Sequence, residues 1–357
     1  MSQSIEALTK SLLRAARQAG ADSADAMAVR GTSVNVDVRG GVLEQAERAE
    51  GVDIGLRVFV GQRSANVSAS DTSDRTIEEM AIRAVAMAKE APEDPYIGLA
   101  DPDQLATDWD VEALELYDPA PEPSPEALQD DAARAEAAGL AVKGVSQVQS
   151  AGAGYGAQQV FMAASNGFEG GYRRTDRGLS CVAIAGTGTG MERDYDGDSR
   201  IFQTDLRSPE DIGTKAGERV LERMGARKPP TGAYPVLFDE RISSALIGHL
   251  LSAISGTAIA RGASWLRDAM GEQVLPKGIS LIEDPFRPRV AGSRPFDGEG
   301  LPTSRRTIVD DGMLQGWTLD LATARKLGLT PTGNAARGIG SNPGPATWNI
   351  ALSQGNA

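Results

Sequence analysis

Ile5, Leu8, Leu12 and Ala16 recur at the spacing of one helix face, and Gly20 is a natural stop. Beyond it Val34, Val36 and Val38 alternate with polar residues, as in a half-buried strand. Gly40-Gly41 predicts a turn. Leu43–Ala49, Val52–Val60 and Ser64–Ser70 continue the alternation, with a second turn at Gly61-Gln62. Ser73 then caps a helix whose Ile77, Met80, Ala81, Ala84 and Ala88 form one stripe. The order helix, antiparallel sheet, helix repeats downstream. Ser124-Pro125-Glu126 and Ser208-Pro209-Glu210 each combine an N-cap, a first-turn proline and an early acid. Between those helices lie strand candidates at Val145–Gly156, Gln158–Ser165, Phe168–Tyr172, Gly178–Gly186 and Met191–Phe202, with Asn166-Gly167 as a hairpin turn.

After Pro229-Pro230 the pattern changes. A short strand is predicted at Tyr234–Phe238, then one long helix from Glu240 to Arg261, apolar nearly all round and therefore buried. Further strands follow at Ile279–Ile282, Arg306–Val309 and Met313–Trp317, then a helix at Leu319–Leu327. A glycine-rich loop spans Leu329–Pro345, and a last strand lies at Trp348–Leu352. The fold class is α+β: two helix–antiparallel sheet–helix units over residues 1–110 and 111–227, then a mixed, β-rich C-terminal domain over 230–357. A domain ending on a fresh strand predicts a truncated chain.

Composition narrows the chemistry. The 357 residues are 41% hydrophobic and 24% charged, with aromatics at 5%, so the core rests on aliphatic residues and alanine. There is one His and one Cys, too few for a His- or Cys-rich zinc site or an intrachain disulfide, and a reducing, cytoplasmic setting is expected. The net charge of −13 is local: residues 90–131 hold fourteen acids, seven prolines and no Lys or Arg. That stretch reads as a solvated connector. The remaining charge is near balance, so the broad basic surface that nucleic acid requires is not predicted. The most apolar stretch, Ala245–Ala260, is too short and too interrupted to span a membrane.

The glycines of Gly152–Gly156 and Gly186–Gly190 match no phosphate-binding spacing and read as turn or strand-edge glycines. Asp194, Asp196 and Asp198 would share one strand face. Their spacing departs from a calcium loop, so a solvent-facing strand edge is expected. Cys181 reads as a small buried residue. His249, with Ser252 and Ser255 nearby, lacks a G-x-S-x-G elbow and reads as a buried, hydrogen-bonded histidine.

Gly248–Gly256, Ala260-Arg261-Gly262, Gly271–Val274, Ser293–Gly300 and Pro331–Gly338 together resemble the TldD/TldE family, in its TldE (PmbA) branch, also described as modulators of DNA gyrase. Gly55–Gly61, Ala91–Tyr96, Ser165-Asn166-Gly167 and Gly190–Tyr195 resemble it too. The resemblance implies a subunit of a cytosolic metallopeptidase complex that trims or degrades unfolded peptides. In that family TldD carries H-E-x-x-x-H on a helix. At the matching positions this chain has Ser244 and Ala245 in place of the first His and the Glu, and only His249 remains. The resemblance thus implies no metal or other cofactor and no catalytic residue in this chain. It implies zinc in a TldD-like heterodimer partner, with Asp194 and the Arg294–Gly300 loop as structural or interface elements, and a C-terminal part of the domain missing. Two rivals are a peptidase active as a homodimer and a non-enzymatic regulatory module.

Overall fold

The computed structural model describes residues 3–354. Residues 1–2 and 355–357 lie outside it, and with them the terminus on which the expectation of truncation rests. Helix α1 (Ile5–Ala19) starts where Ser4 Oγ accepts the Ala7 N–H at 3.2 Å and stops at Gly20, whose φ of 98° suits a left-handed cap. Three long strands follow: β1 (Ser23–Arg39), β2 (Val42–Val60) and β3 (Arg63–Ala69). Then come α2 (Asp74–Glu90) and α3 (Pro125–Ala141), β4 (Val145–Ala164), β5 (Glu169–Ala185), β6 (Glu192–Arg200) and α4 (Pro209–Glu222). Ser73, Ser124 and Ser208 cap their helices with the side chain, as the sequence predicts.

Several predicted breaks are absent. Gly51 and Gly156 do not interrupt their strands: Gly51 pairs with Gly31, and Gly156 with Ser33 and Asp176. More important, β1 pairs with β4 from Asp25↔Ala164 to Val38↔Ala151. The sheets of the two units are one antiparallel sheet of order β3-β2-β1-β4-β5-β6.

All four helices cover the same face of this sheet. Ala24, Ala26 and Ala28 of β1 meet α1 and α2 in a core with Leu8, Leu12, Ile54 and Ala84. Further along β1, Val34, Val36 and Val38 join Leu128, Cys181, Ile212 and Val220 under α3 and α4. Each fully buried Leu or Ile contributes roughly 1.5–3 kcal/mol. Side chains of opposite parity point the other way. Met27, Val160 and Met162 are covered by Phe168 and Phe296, while Asn35 and Asp37 line an open cleft.

The acidic segment is no solvated connector. Leu114 and Leu116 are buried with Ile201, and Ala100 with Leu301 and Leu321. The Leu116 carbonyl accepts the Thr175 N–H at 3.1 Å, and the Gly300 carbonyl accepts the Ala106 N–H at 2.9 Å. Most of its acids face solvent, while Asp118 is buried and accepts the Gln203 N–H at 2.8 Å and its few apolar residues dock, so the segment straps the sheet to the C-terminal part.

The predicted long helix is two. α5 (Glu240–Ala253) and α6 (Gly256–Ala260) are separated because the backbone of 254–256 pairs with Thr318: Ile254 O accepts the Thr318 N–H at 3.1 Å and Thr318 O accepts the Gly256 N–H at 2.7 Å. Nor is α5 buried all round. Only Leu250 and Ala253 are buried, whereas Ile242 and Leu246 are exposed. The predicted strand at Tyr234–Phe238 is unpaired, and Leu237 is 97% exposed. β7 (Leu281–Glu283), β8 (Arg306–Asp310), β9 (Met313–Leu314), α7 (Leu321–Leu327), β10 (Ala335–Ala336), β11 (Gly344–Pro345) and β12 (Ile350–Leu352) complete the fold. A four-stranded sheet, β12-β7-β8-β9, packs Leu281, Ile308, Val309 and Leu314 against Leu250 and Ile254.

Candidate functional site

His249 lies on an exposed turn of α5, and among the described residues its side chain has no hydrogen-bond partner. The expectation of a buried, hydrogen-bonded histidine is therefore corrected. The helix packs through Leu250 and Ala253, with Ile247 partly buried beside them, and His249 projects on the exposed side. Ser244 and Ala245 are exposed on the same helix. A hydroxyl, a methyl and one imidazole do not make a zinc donor set. Cys181 is far in character as well as sequence: it is fully buried under α3 and α4, and burial pushes its thiol up to about 12. Among the described residues, no three His, Cys, Asp or Glu side chains stand together to hold a metal ion. The residues at the motif positions of α5 do not fit zinc.

The start of α5 is tied to the sheet by charge. Asp194, Asp196 and Asp198 do share one face of β6, but it is the helix-side face, and Asp194 and Asp196 are buried. This corrects the predicted solvent-facing edge. Arginines from α4, α5 and the loop before α4 neutralise them. Arg241 Nη1 donates to Asp194 Oδ1 at 2.8 Å and Arg207 Nη2 to Asp196 Oδ2 at 2.7 Å, while Arg219 also donates to Asp196. Arg219 reaches Glu240 at 3.6 Å as well. Burial pushes the Asp194 carboxyl up, but the Arg241 hydrogen bond, the Tyr195 N–H and two arginine charges outweigh it and hold it low.

A cleft of about 930 Å³ opens on the other face beside Asn35, Asp37 and Asp176 and reaches round the β6 edge to Asp196, Arg207, Arg219 and Arg241. Its floor is β4, where Gly152, Gly154 and Gly156 are mid-strand rather than at turns. A Cβ at Gly152 would stand 2.5 Å from Asp37 Oδ1, and one at Gly156 2.4 Å from Asp176 Oδ1. The missing side chains leave room for polar groups of the neighbouring strands.

The Arg294–Gly300 loop is structural. Asp297 is buried, and its carboxylate accepts the N–H groups of Glu299, Leu301 and Ala335 at 2.8, 2.9 and 3.0 Å. Glu299 Oε2 accepts the Leu321 N–H at the start of α7 at 2.8 Å. Burial, reinforced by the Asp297 charge, pushes the Glu299 carboxyl up to about 8. A carboxyl raised in the folded state binds protons that the unfolded chain has released, so its stabilising effect is full below about 4.5 and fades as pH rises through about 8. Glu299→Gln should therefore raise the melting temperature at pH 8.5 by roughly 2 °C or more and change it little at pH 5. Equal shifts at the two pH values would refute this.

A second ion group was invisible in the sequence. Asp25 on β1 receives Arg57 Nε from β2 at 2.8 Å and the Arg337 guanidinium from the C-terminal part, all three buried. These partners lie 32 and 312 residues away, beyond any local spacing signal.

Comparison with known proteins agrees with this architecture. The PmbA/TldA metallopeptidase domain 1 matches residues 24–88, the central domain 118–224 and the C-terminal domain 231–357. The chain belongs to the PmbA/TldD metallopeptidase family. Metalloprotease PmbA of Escherichia coli O157:H7 is 35% identical over 333 residues, covering 92% of this chain and 71% of that protein. The PmbA homologue of Haemophilus influenzae is 34% identical, over 90% and 70%. Among solved folds, a protein of Bacteroides thetaiotaomicron described as a candidate modulator of DNA gyrase superposes with a TM-score of 0.87 at 24% identity, covering 98% of this chain and 77% of that one. TldE of Thermococcus kodakarensis gives 0.78 at 20%, over 98% and 78%. The latter two show the shared fold alone. No helix among the described residues is long and apolar enough to cross a membrane.

Proposed function

We propose that this chain is the non-hydrolysing subunit of a TldD/TldE-type peptidase, acting in the cytoplasm on unfolded peptides during their degradation or maturation. A TldD-like partner would supply the zinc and the general base, and this chain would form part of the peptide enclosure. The observation that carries the reading is α5: the family's motif helix is kept, yet it presents Ser244, Ala245 and one imidazole. Peptide hydrolysis on zinc needs a held metal, a polarised water and a base within reach, and these positions offer neither the ligand set nor the base. The exposed Leu237, Ile242 and Leu246 give the same region an apolar surface suited to a partner.

The test is cleavage of an unstructured peptide by this chain alone, by a TldD-type partner alone and by the mixture, with metal analysis of each. Activity of the mixture well above either component, with zinc only in the partner, is expected. Chelator-sensitive cleavage by this chain alone would favour the homodimeric peptidase instead.

A further inference from the structure

One end of the open sheet face carries guanidinium groups that no carboxylate contacts directly among the described residues, Asp176 acting on Arg174 only from a distance. Arg174 projects from β5 on the same face as Asp176, into a pocket of about 430 Å³. Arg174 Nη2 donates to the Ala291 carbonyl, and Arg294 Nη1 donates to the same carbonyl at 2.9 Å. Two guanidinium groups thus meet at one neutral acceptor. Burial and the Arg294 charge together pull the Arg174 guanidinium below its ordinary value. Arg287 lies on the exposed rim. Among the described residues no carboxylate oxygen stands within 4.0 Å of Arg174, Arg287 or Arg294. The other two arginines of the pocket are matched, Arg200 to Asp198 and Arg289 to Glu115.

This pocket is not isolated. It shares Asp176 and Ser199 with the larger glycine-floored cleft. The adjoining spaces make up the groove, with Arg174 at one end, Asp176 at the boundary and Asp37 further on. A half-buried guanidinium whose nearest carboxylate, Asp176, is not in contact remains costly until an anion pairs with it directly, and a planar carboxylate matches its two-pronged donor geometry. The open floor suits an extended backbone rather than a compact ion, since glycines let a backbone approach closely.

We propose that the Arg174 pocket is a subsite for a carboxylate of an extended peptide lying along this groove. The proposal rests on the reading that the protein helps to enclose peptide, and it names the chemistry selected there. The carboxylate is either the peptide's own C-terminus or an Asp or Glu side chain.

The experiment is fluorescence anisotropy with the full-length protein, without a partner, and three short unstructured peptides. One has a free C-terminus, one is the neutral amide, and one is the amide with an internal Glu. The carboxylate peptides should bind about 10-fold tighter than the neutral amide, with the advantage shrinking as salt rises. Whichever carboxylate peptide gains more identifies the source. Arg174→Met should remove the advantage and Arg174→Lys should keep part of it. Arg287→Met, at an exposed position, should reduce it without altering the melting temperature. Equal affinity of all three peptides would overturn the proposal, as would an advantage that survives both Met variants. Inorganic phosphate displacing the peptide as effectively as a carboxylate peptide does would also overturn it. Because the assay needs no cleavage, its failure with partner-dependent hydrolysis intact would sink the subsite alone. Selective binding without any hydrolysis by the assembled pair would sink the functional reading alone.

Discussion

Asp25→Ala should lower stability by about 3–5 kcal/mol, because it removes the carboxylate that contacts two buried arginines. Arg57 and Arg337 have side chains only 6% and 1% exposed. Neither can turn to water without unpacking its surroundings, and Arg337 Nε already lacks a hydrogen-bond partner among the described residues. Burial pushes the Asp25 carboxyl up, but the Arg57 and Arg337 charges and hydrogen bonds outweigh it and hold the group below the usual carboxylate range. A carboxyl held low contributes stability that is present above about pH 4 and is lost as pH falls through its folded-state value. Wild type should therefore lose stability on acidification more steeply than the variant. Urea unfolding at pH 7 and at pH 3.5 measures both effects. A loss below about 1 kcal/mol at pH 7 would show that the arginines find other partners, against the geometry described here. The ion group also has a structural reach: Asp25 and Arg57 belong to the first sheet, Arg337 to the C-terminal part. Its loss should loosen that junction before the helix-covered core melts, since Leu8, Leu12 and Ile54 lie on the far face of the sheet.

What could be read in advance follows from the range of each interaction. The serine caps at Ser73, Ser124 and Ser208 act over three residues, so a linear scan finds them. Alternation finds β1 at Val34, Val36 and Val38 because helices cover only one face. It says nothing about the pairing of β1 with β4, which joins residues more than a hundred positions apart. The same limit hides the arginines that bury Asp194 and Asp196. An acidic strand edge and an acidic strand clasped by arginines from later elements have the same sequence pattern. The helix around His249 misleads for a different reason. Its composition is apolar, but composition does not reveal which apolar residues find a partner, and Ile242 and Leu246 find none among the described residues. At the family motif, the substitutions at Ser244 and Ala245 are legible directly, because chemistry that depends on residue identity needs no fold to be judged. The Arg174 pocket needed the fold, since Arg174 and Ala291 are 117 residues apart.

Two helix glycines give opposite expectations, and the larger effect is at Gly213. In an open helix a glycine costs up to about 1 kcal/mol relative to alanine. Gly248 on α5 is such a position: an added Cβ would meet nothing within 4 Å, so Gly248→Ala should stabilise by up to about 1 kcal/mol. Gly213 on α4 reverses the sign. A Cβ there would stand 2.0 Å from the Ala135 carbonyl oxygen and 3.0 Å from Ala138 Cβ, both on α3. Gly217 and Gly139 lie in the same seam, with Gly217 facing Val142 and the Gly139 carbonyl. The two helices therefore touch nearly backbone to backbone, and a side chain must push them apart. Gly213→Val should destabilise by at least about 3 kcal/mol, at the upper end of overpacking costs, because Leu128, Ala132, Ile212 and Ala216 lose their packing together. The damage should extend beyond the core. Arg219 rides on α4, and Arg207 stands just before it. Displacing them frees the Asp196 carboxylate and with it the Arg219–Glu240 contact that helps to anchor α5. Thermal unfolding of the two glycine variants beside wild type tests the pair. A Gly213→Val protein as stable as wild type would show that α3 and α4 are not held in this close contact.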